Sequence, residues 1–204
     1  MKLRPCGDRA VLVEVDDTDA VLGLYAALNN PVPAGITELV PADRTLLVRF
    51  DPTVIDGTAL RCLIRRTPPT TVKTPCERRV VVPVIYDGPD LTEVGDRTGL
   101  GEDGVIAAHT AGDYIVVFAG FTPGFGYMTG LDEVLQLPRR RVPRIRVPRG
   151  AVAIADRYTG VYPRASPGGW QLLGRTELAV WHEDRDPPTL FAPGTRVAFH
   201  AVSG

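Results

Sequence analysis

The chain has 204 residues, 44% of them hydrophobic and 23% charged, with a formal net charge of −1. Such proportions belong to an ordinary globular protein with apolar residues enough for one large core or two small ones. The near-neutral balance excludes a nucleic-acid binder held mainly by electrostatics, which requires a basic excess.

The opening MKLRPCGDRA has no apolar h-region, and no run of about 18 apolar residues occurs anywhere, so a cytoplasmic protein without signal peptide or membrane span is expected. Arg9 to Val15 is short, rich in valine and bounded by Gly7-Asp8 and Asp16-Asp17, which predicts a strand. Asp19 is expected to cap a helix through about Leu28, with Val21, Leu22, Leu24, Tyr25 and Leu28 on one stripe. Ile36 to Val40 and Thr45 to Phe50 read as strands across the turn Pro41-Ala42-Asp43. Asp56 caps a second helix that turns Leu60, Leu63 and Ile64 inward. Strand, helix, strand, strand, helix is most of a split βαβ unit of the ferredoxin-like type, with its last strand expected from Arg79 to Val84. The Pro- and Thr-rich stretch Thr67 to Pro75 marks a domain boundary, giving domains 1–75 and 76–204.

Beyond it, Leu91 to Thr98 and Asp103 to His109 read as short helices around Gly99. The pair resembles a helix-turn-helix, but Asp90, Glu93, Asp96, Glu102 and Asp103 make it too acidic for DNA. Tyr114 to Phe118 is a strong strand. After Gly130, Ala151 to Ala155, Gly160 to Tyr162, Gln171 to Leu173, Leu178 to Trp181 and Arg196 to Ala201 are short apolar runs between glycines and prolines, the pattern of a β-barrel or sandwich.

The chemistry is bounded first by what is missing. No GxxxxGK[ST] is present, so a P-loop is excluded, and Gly124 to Gly130 lacks the dinucleotide spacing. Cys6, Cys62 and Cys76 are odd in number and form no CxxC pair, and His109, His182 and His200 match no zinc spacing, so no metal site is expected. The only Met-Lys pair is Met1-Lys2, so no internal biotin attachment site exists. His182 and His200 read as surface residues, whereas His109, between a helix and a strand that leads to the glycine loop, is a candidate for a direct role. Ser166, in Ser-Pro-Gly-Gly-Trp, lacks a nucleophile elbow and is better suited to hydrogen bonding.

The positive signal runs from Phe118 to Thr176. FAGFTPGFGYMTGL sets aromatic rings among glycines and prolines, a stiff loop able to present rings and backbone N–H groups to a small polar ligand, or simply a demanding barrel loop. PRRRVPRIRVPRG gathers Arg139, Arg140, Arg141, Arg144, Arg146 and Arg149. It reads as an anion-binding face, an interface with an acidic partner, or a solvated face. Arg175, in LLGRT, is expected to meet the glycine loop at one barrel end.

GFTPGFGYMTGLD, VPRGAVAIADRYTGVYPRASPGGWQLLGRT, VPVIYDGPDLTEV, GDRAVLVEV and GITELVPADRTLLVRFDP together resemble the allophanate hydrolase subunit 1 family, to which the B subunit of 5-oxoprolinase and the sporulation kinase inhibitor KipI belong. The resemblance covers nearly the whole chain. It implies an α+β protein, a small N-terminal α/β domain followed by a cyclophilin-like β-barrel. It further implies a larger partner of the allophanate hydrolase subunit 2 type (the C subunit of 5-oxoprolinase) and a third component, the A subunit. Together these hydrolyse 5-oxoproline to glutamate with ATP, and with Mg accompanying the nucleotide.

On that reading this chain is inactive alone. Phe121, Phe125 and Tyr127 wall the lactam ring, with Pro123, Gly124, Tyr162, Gly168, Gly169, Trp170 and Thr176 completing the binding surface. Ser166 hydrogen-bonds the lactam, Arg175 meets a carboxylate or phosphate, and His109 joins the catalytic set. GFGYMTG departs from the family's usual GFPYLGG at Gly126, Met128 and Thr129, which bears on substrate identity rather than fold. Two other uses of the same motifs are a regulator of a histidine kinase and one half of a urea- or amide-processing carboxyltransferase.

Overall fold

The computed structural model describes residues 1–70 and 78–204. Lys73, Cys76 and the boundary expected between residues 75 and 76 lie outside them. By its contacts the chain divides into two compact units, Met1–Thr74 and Pro75–Gly204.

In the first unit β1 (Lys2–Pro5), β2 (Ala10–Glu14), β3 (Ile36–Pro41) and β4 (Thr45–Phe50) form one antiparallel sheet in the order β1-β2-β4-β3. α1 (Thr18–Asn29) and α2 (Gly57–Arg66) cover it. Alternation along β2 and β4 turns Val11, Val13, Leu46 and Val48 inward, where they meet Val21, Leu24 and Leu28 of α1 and Leu60 and Ile64 of α2. Each such buried side chain contributes about 1.5–3 kcal/mol of transfer free energy.

Two expectations change here. Asp17, not Asp19, caps α1, because its carboxylate accepts the Ala20 N–H at 2.8 Å and so serves the third helical residue. The fourth strand of the sheet is the N-terminal β1, not Arg79 to Val84. A hairpin places β1 beside β2 at the sheet edge, so the ferredoxin-like unit is completed from the front of the chain.

Arg79–Val84 is β5 of the second unit. The remaining strands are β6 (Tyr114–Ala119), β7 (Gly126–Thr129), β8 (Arg144–Val147), β9 (Ala151–Ala155), β10 (Tyr158–Val161), β11 (Ser166–Gly168), β12 (Gln171–Arg175) and β13 (Arg196–Ala201). Seven of these make one sheet in the order β12-β9-β10-β7-β6-β13-β5, and β8 pairs β11 in a separate two-stranded antiparallel sheet. β5 runs parallel to β13, which seats Val82 and Val84 in the interior. The edge strands β5 and β12 are joined by an isolated bridge between Ile85 and Arg175, so the sheet is nearly a closed barrel. α3 (Leu91–Thr98) and α4 (Gly101–Ala111) turn Leu91, Val94 and Val105 into the barrel core. The protein is thus an α/β unit and a barrel unit, as the sequence implied.

Leu178 to Trp181 is not a strand. Its backbone pairs with the following loop instead of the barrel: Leu190 N–H donates to Val180 O, His182 N–H to Pro188 O, and Trp181 bridges Thr189. Conversely, Gly126–Thr129, read as part of a loop, and Ser166–Gly168, read as a turn, are strands, as is Arg144–Val147 within the arginine-rich segment. Among the described residues no helix is long and apolar enough to cross a membrane.

Candidate functional site

The barrel wall has two faces, and they hold different chemistry. Along β10, Val161 lies in the barrel core and Thr159 reaches His109 inside. Tyr158, Gly160 and the following Tyr162 therefore point outward. Met128 of β7 is likewise inside and Tyr127 outside. A bulge between Val116 and Phe118 shifts the phase of β6, and Phe118 joins the outer face, stacked on Tyr127 at 4.5 Å between ring centroids.

On this outer face the glycine loop lays down a second aromatic cluster. Phe125 meets Tyr127, Tyr162 and Trp170 edge-on at 5.1–5.2 Å. It can do so because Gly160 lies beneath it: a Cβ there would stand 3.1 Å from both the Phe125 ring and Gly126 O. Phe125, Tyr162 and Trp170 are buried, and burial pushes the Tyr162 hydroxyl up to about 12, the Trp170 backbone amide opposing. Tyr127 is half-buried and its hydroxyl is raised for the same reason.

Phe121 stands apart. It is 60% exposed and sits at φ 65°, the left-handed region that a side-chain-bearing residue occupies only under constraint. Short loop hydrogen bonds impose that geometry: Thr122 N–H donates to Gly120 O at 2.7 Å and Phe125 N–H to Thr122 O at 3.0 Å. The result is a strained aromatic ring on the rim of a buried aromatic cluster, 5.6 Å from Phe125 and 6.3 Å from Tyr162. Pro123, beside it, is exposed, and Gly124 is packed against Trp181 and Pro163.

His109 is on the other side of the wall. It is fully buried against Tyr114 and Phe199, with both ring nitrogens engaged. Thr159 Oγ1 donates to Ala153 O at 3.1 Å, so it accepts from His109 Nε2–H at 2.9 Å, and Nδ1 then accepts from the Tyr86 hydroxyl at 2.7 Å. Burial lowers the His109 pKa to about 3, which keeps the ring neutral in this chain of bonds. Its geometry is that of a satisfied interior residue, separated by β10 from the aromatic cluster.

Gly168, on β11, does reach the aromatic face, and Ser166 lies two residues before it on the same strand. Gly168 packs on the Tyr162 hydroxyl so closely that a Cβ would stand 2.4 Å from it. Gly169 O accepts the Arg140 N–H at 2.7 Å, fixing the turn that carries Trp170. Thr176 is buried and spends its N–H on Gly150 O and its Oγ1 on the Leu178 N–H. The Arg175 side chain does not meet the glycine loop: its Nε donates to Asp87 Oδ2 at 2.8 Å and its Nη1 reaches Glu177 at 3.4 Å, all three being exposed to solvent.

The arginine-rich segment is divided in its duties. Arg140 Nη1 and Arg144 Nη2 each donate to Asp90 Oδ1 at 2.6 Å, and Asp90 Oδ2 accepts the Leu172 N–H at 2.7 Å. Asp90 is almost wholly buried. Arg139 approaches Asp156 at 3.9 Å, while Arg141, Arg146 and Arg149 are exposed. Sequence reasoning missed Asp90, whose partners lie 50, 54 and 82 positions away, beyond any local motif.

Comparison with known proteins places this geometry. The family described as carboxyltransferase domain, subdomain C and D, matches residues 1–191. The chain belongs to that family. A Bacillus subtilis protein named as the B subunit of 5-oxoprolinase is 34% identical over 99% of this chain and 93% of its own length. One of the same name from Escherichia coli O157:H7 is 47% identical, over 61% of this chain and 59% of that protein. In a solved structure of TTHA0988 the family fold recurs at 38% identity with a TM-score of 0.81, covering 96% of this chain and 40% of that one. The fold of this chain is thus that of a carboxyltransferase-domain protein.

Proposed function

We propose that this chain is one component of an ATP-dependent 5-oxoprolinase that opens 5-oxo-L-proline to L-glutamate. It would act with a larger partner of the allophanate hydrolase subunit 2 type (the C subunit of 5-oxoprolinase) and with the A subunit of that enzyme. The observation that carries the reading is end-to-end similarity to a protein named as the B subunit. The aromatic face supports it. A lactam ring is flat and small, and Phe121 on the rim, backed by Tyr127, Phe125 and Trp170, offers π-surface to it. Ser166 and the loop amides supply hydrogen bonds to its amide, and Arg175 is proposed to meet a carboxylate or phosphate if Asp87 releases it. His109 supports the wall from within as a positioning residue.

A lactam resists hydrolysis because its amide is resonance-stabilised, and phosphorylation of its oxygen by ATP would make the ring carbon open to water. This sequence has no P-loop, and among the described residues no group of three or more His, Cys, Asp or Glu is set to hold a metal ion. ATP and its Mg are therefore proposed to be held with the partner subunits, and this chain's part is binding and orientation of the lactam. The family description also favours a second reading, one half of a carboxyltransferase acting on urea or another amide, which would need a biotin carrier on another chain.

The test is ATP hydrolysis with and without 5-oxoproline, on this chain alone and with its natural partners. Lactam-stimulated turnover in the complex only is the expected result. A verified complex that shows no stimulation would sink the assignment and shift the weight to another amide or to a regulatory role.

A further inference from the structure

We propose that Arg140, Arg144 and Ser166 form a binding site for a small oxyanion, a carboxylate or a phosphate, beneath the β8–β11 strand pair. Two guanidinium cations meet at Asp90, but they meet a single buried carboxylate whose two oxygens already accept three hydrogen bonds. Glu93, the next carboxylate, is 3.8 Å from Arg140 Nη1 and half-exposed, so it compensates weakly. One positive charge is left over.

Donors are left over as well. Arg140 Nε and Arg144 Nη1 are shut off from solvent and have no acceptor among the described residues, and the same holds for Ser166 Oγ. A buried donor without an acceptor costs about 1–3 kcal/mol, more when it is charged, so three in one neighbourhood signal an absent partner. Arg140 and Arg144 share one Asp90 oxygen, and across the β8–β11 pair Gly168 lies opposite Arg144 and Ser166 opposite Val147. Gly168 in turn touches the Tyr162 hydroxyl, on which the charge of Arg144 acts.

A water molecule would satisfy one or two of these donors and leave the charge. An oxyanion answers both, because its oxygens accept from the guanidinium edges and from the hydroxyl together. Tyr162 links this site to the aromatic face. If the anion is the substrate's own carboxylate, that identity rests on the oxoprolinase reading; the site itself rests on charge and orphaned donors.

The experiment is calorimetric titration of the full chain with 5-oxoproline, its neutral analogue 2-pyrrolidinone, acetate and inorganic phosphate. Saturable binding of at least one anion, with 2-pyrrolidinone weaker by about tenfold or more, is expected from loss of a charge-assisted contact. Tighter binding of 5-oxoproline than of acetate and phosphate identifies the lactam carboxylate; tighter binding of phosphate identifies a phosphoryl group. Arg144→Gln is expected to weaken anion binding by about tenfold or more. Ser166→Ala, which leaves the Asp90 pairs intact, weakens it less and guards against misfolding of the first variant, and Arg141→Gln leaves it unchanged. No saturable anion binding by the folded chain, or equal binding in both site variants, overturns the site. That result leaves the oxoprolinase reading intact, since the latter is judged by turnover of the assembled complex.

Discussion

The backbones of Ile85 and Arg175 exchange two hydrogen bonds of 2.9 Å and so join the two edges of the barrel sheet. Arg175 thus has two separable duties, a backbone that closes the barrel and an exposed side chain paired with Asp87.

Arg175→Ala keeps both backbone bonds and loses only solvent-exposed ion pairs, to Asp87 and Glu177, which water screens. Thermal unfolding is expected to shift by a few degrees at most. If the side chain meets substrate or phosphate, 5-oxoproline-dependent ATP turnover of the assembled enzyme falls sharply while stability holds. Unchanged turnover rejects the role.

His109 gives the fold a pH dependence of defined sign. Its native pKa, about 3, lies below the unfolded value near 6.5, so the unfolded chain binds a proton that the native state refuses. The stabilisation is complete above about pH 6.5 and is lost as pH falls towards 3, by about 1.4 kcal/mol per pH unit between those values. Denaturant unfolding at pH 7, 6 and 5 should show that slope in the native chain. His109→Gln, which cannot titrate, should be less stable at pH 7 and flatter; an equal slope in the two would refute the assignment.

Phe121 carries backbone strain, and its exposed ring makes only edge contacts with Phe125 and Tyr162. Phe121→Gly relieves a positive φ and gives up little buried surface, so stability should stay level or rise by up to about 1 kcal/mol. The same change is expected to raise the KM for 5-oxoproline in the assembled enzyme. A loss of stability with normal KM would make the residue structural instead.

Gly168→Ala places a methyl group 2.4 Å from the Tyr162 hydroxyl. Overpacking of this order costs about 1–3 kcal/mol. Because Tyr162 and Trp170 pack on the same Phe125 ring, a change in tryptophan emission should accompany the drop in melting temperature. An unaltered spectrum would show that the β8–β11 pair yields without disturbing the aromatic face.

Asp90→Ala leaves two partly buried guanidinium groups without their shared carboxylate and should cost about 3–5 kcal/mol. Adding Arg140→Met and Arg144→Met to it should recover most of that loss, because the uncompensated charges go with them. A triple variant no more stable than the single one would place the cost elsewhere.

By itself the sequence determined the nature of most of the main elements, though not of β1, β7, β8 or β11. Valine-rich runs between turn residues located β2, β4, β5 and β6, the Asp56 cap located α2, and the motifs around the glycine loop and SPGGW located the family. What it could not show was which strand pairs with which and on which side of a wall a ring lies. β5 was legible as a strand but not as the parallel neighbour of β13, because Val82 and Val84 alternate inward in either sheet. His109 and Phe125 read as members of one site, yet β10 stands between them. Trp170 does meet the glycine loop at Phe125 and Tyr127, and Gly168 reaches Tyr162 beside them, whereas Arg175 is turned away to Asp87. A period of two marks a strand's two faces without naming them, and only pairing across tens of residues decides which face looks inward.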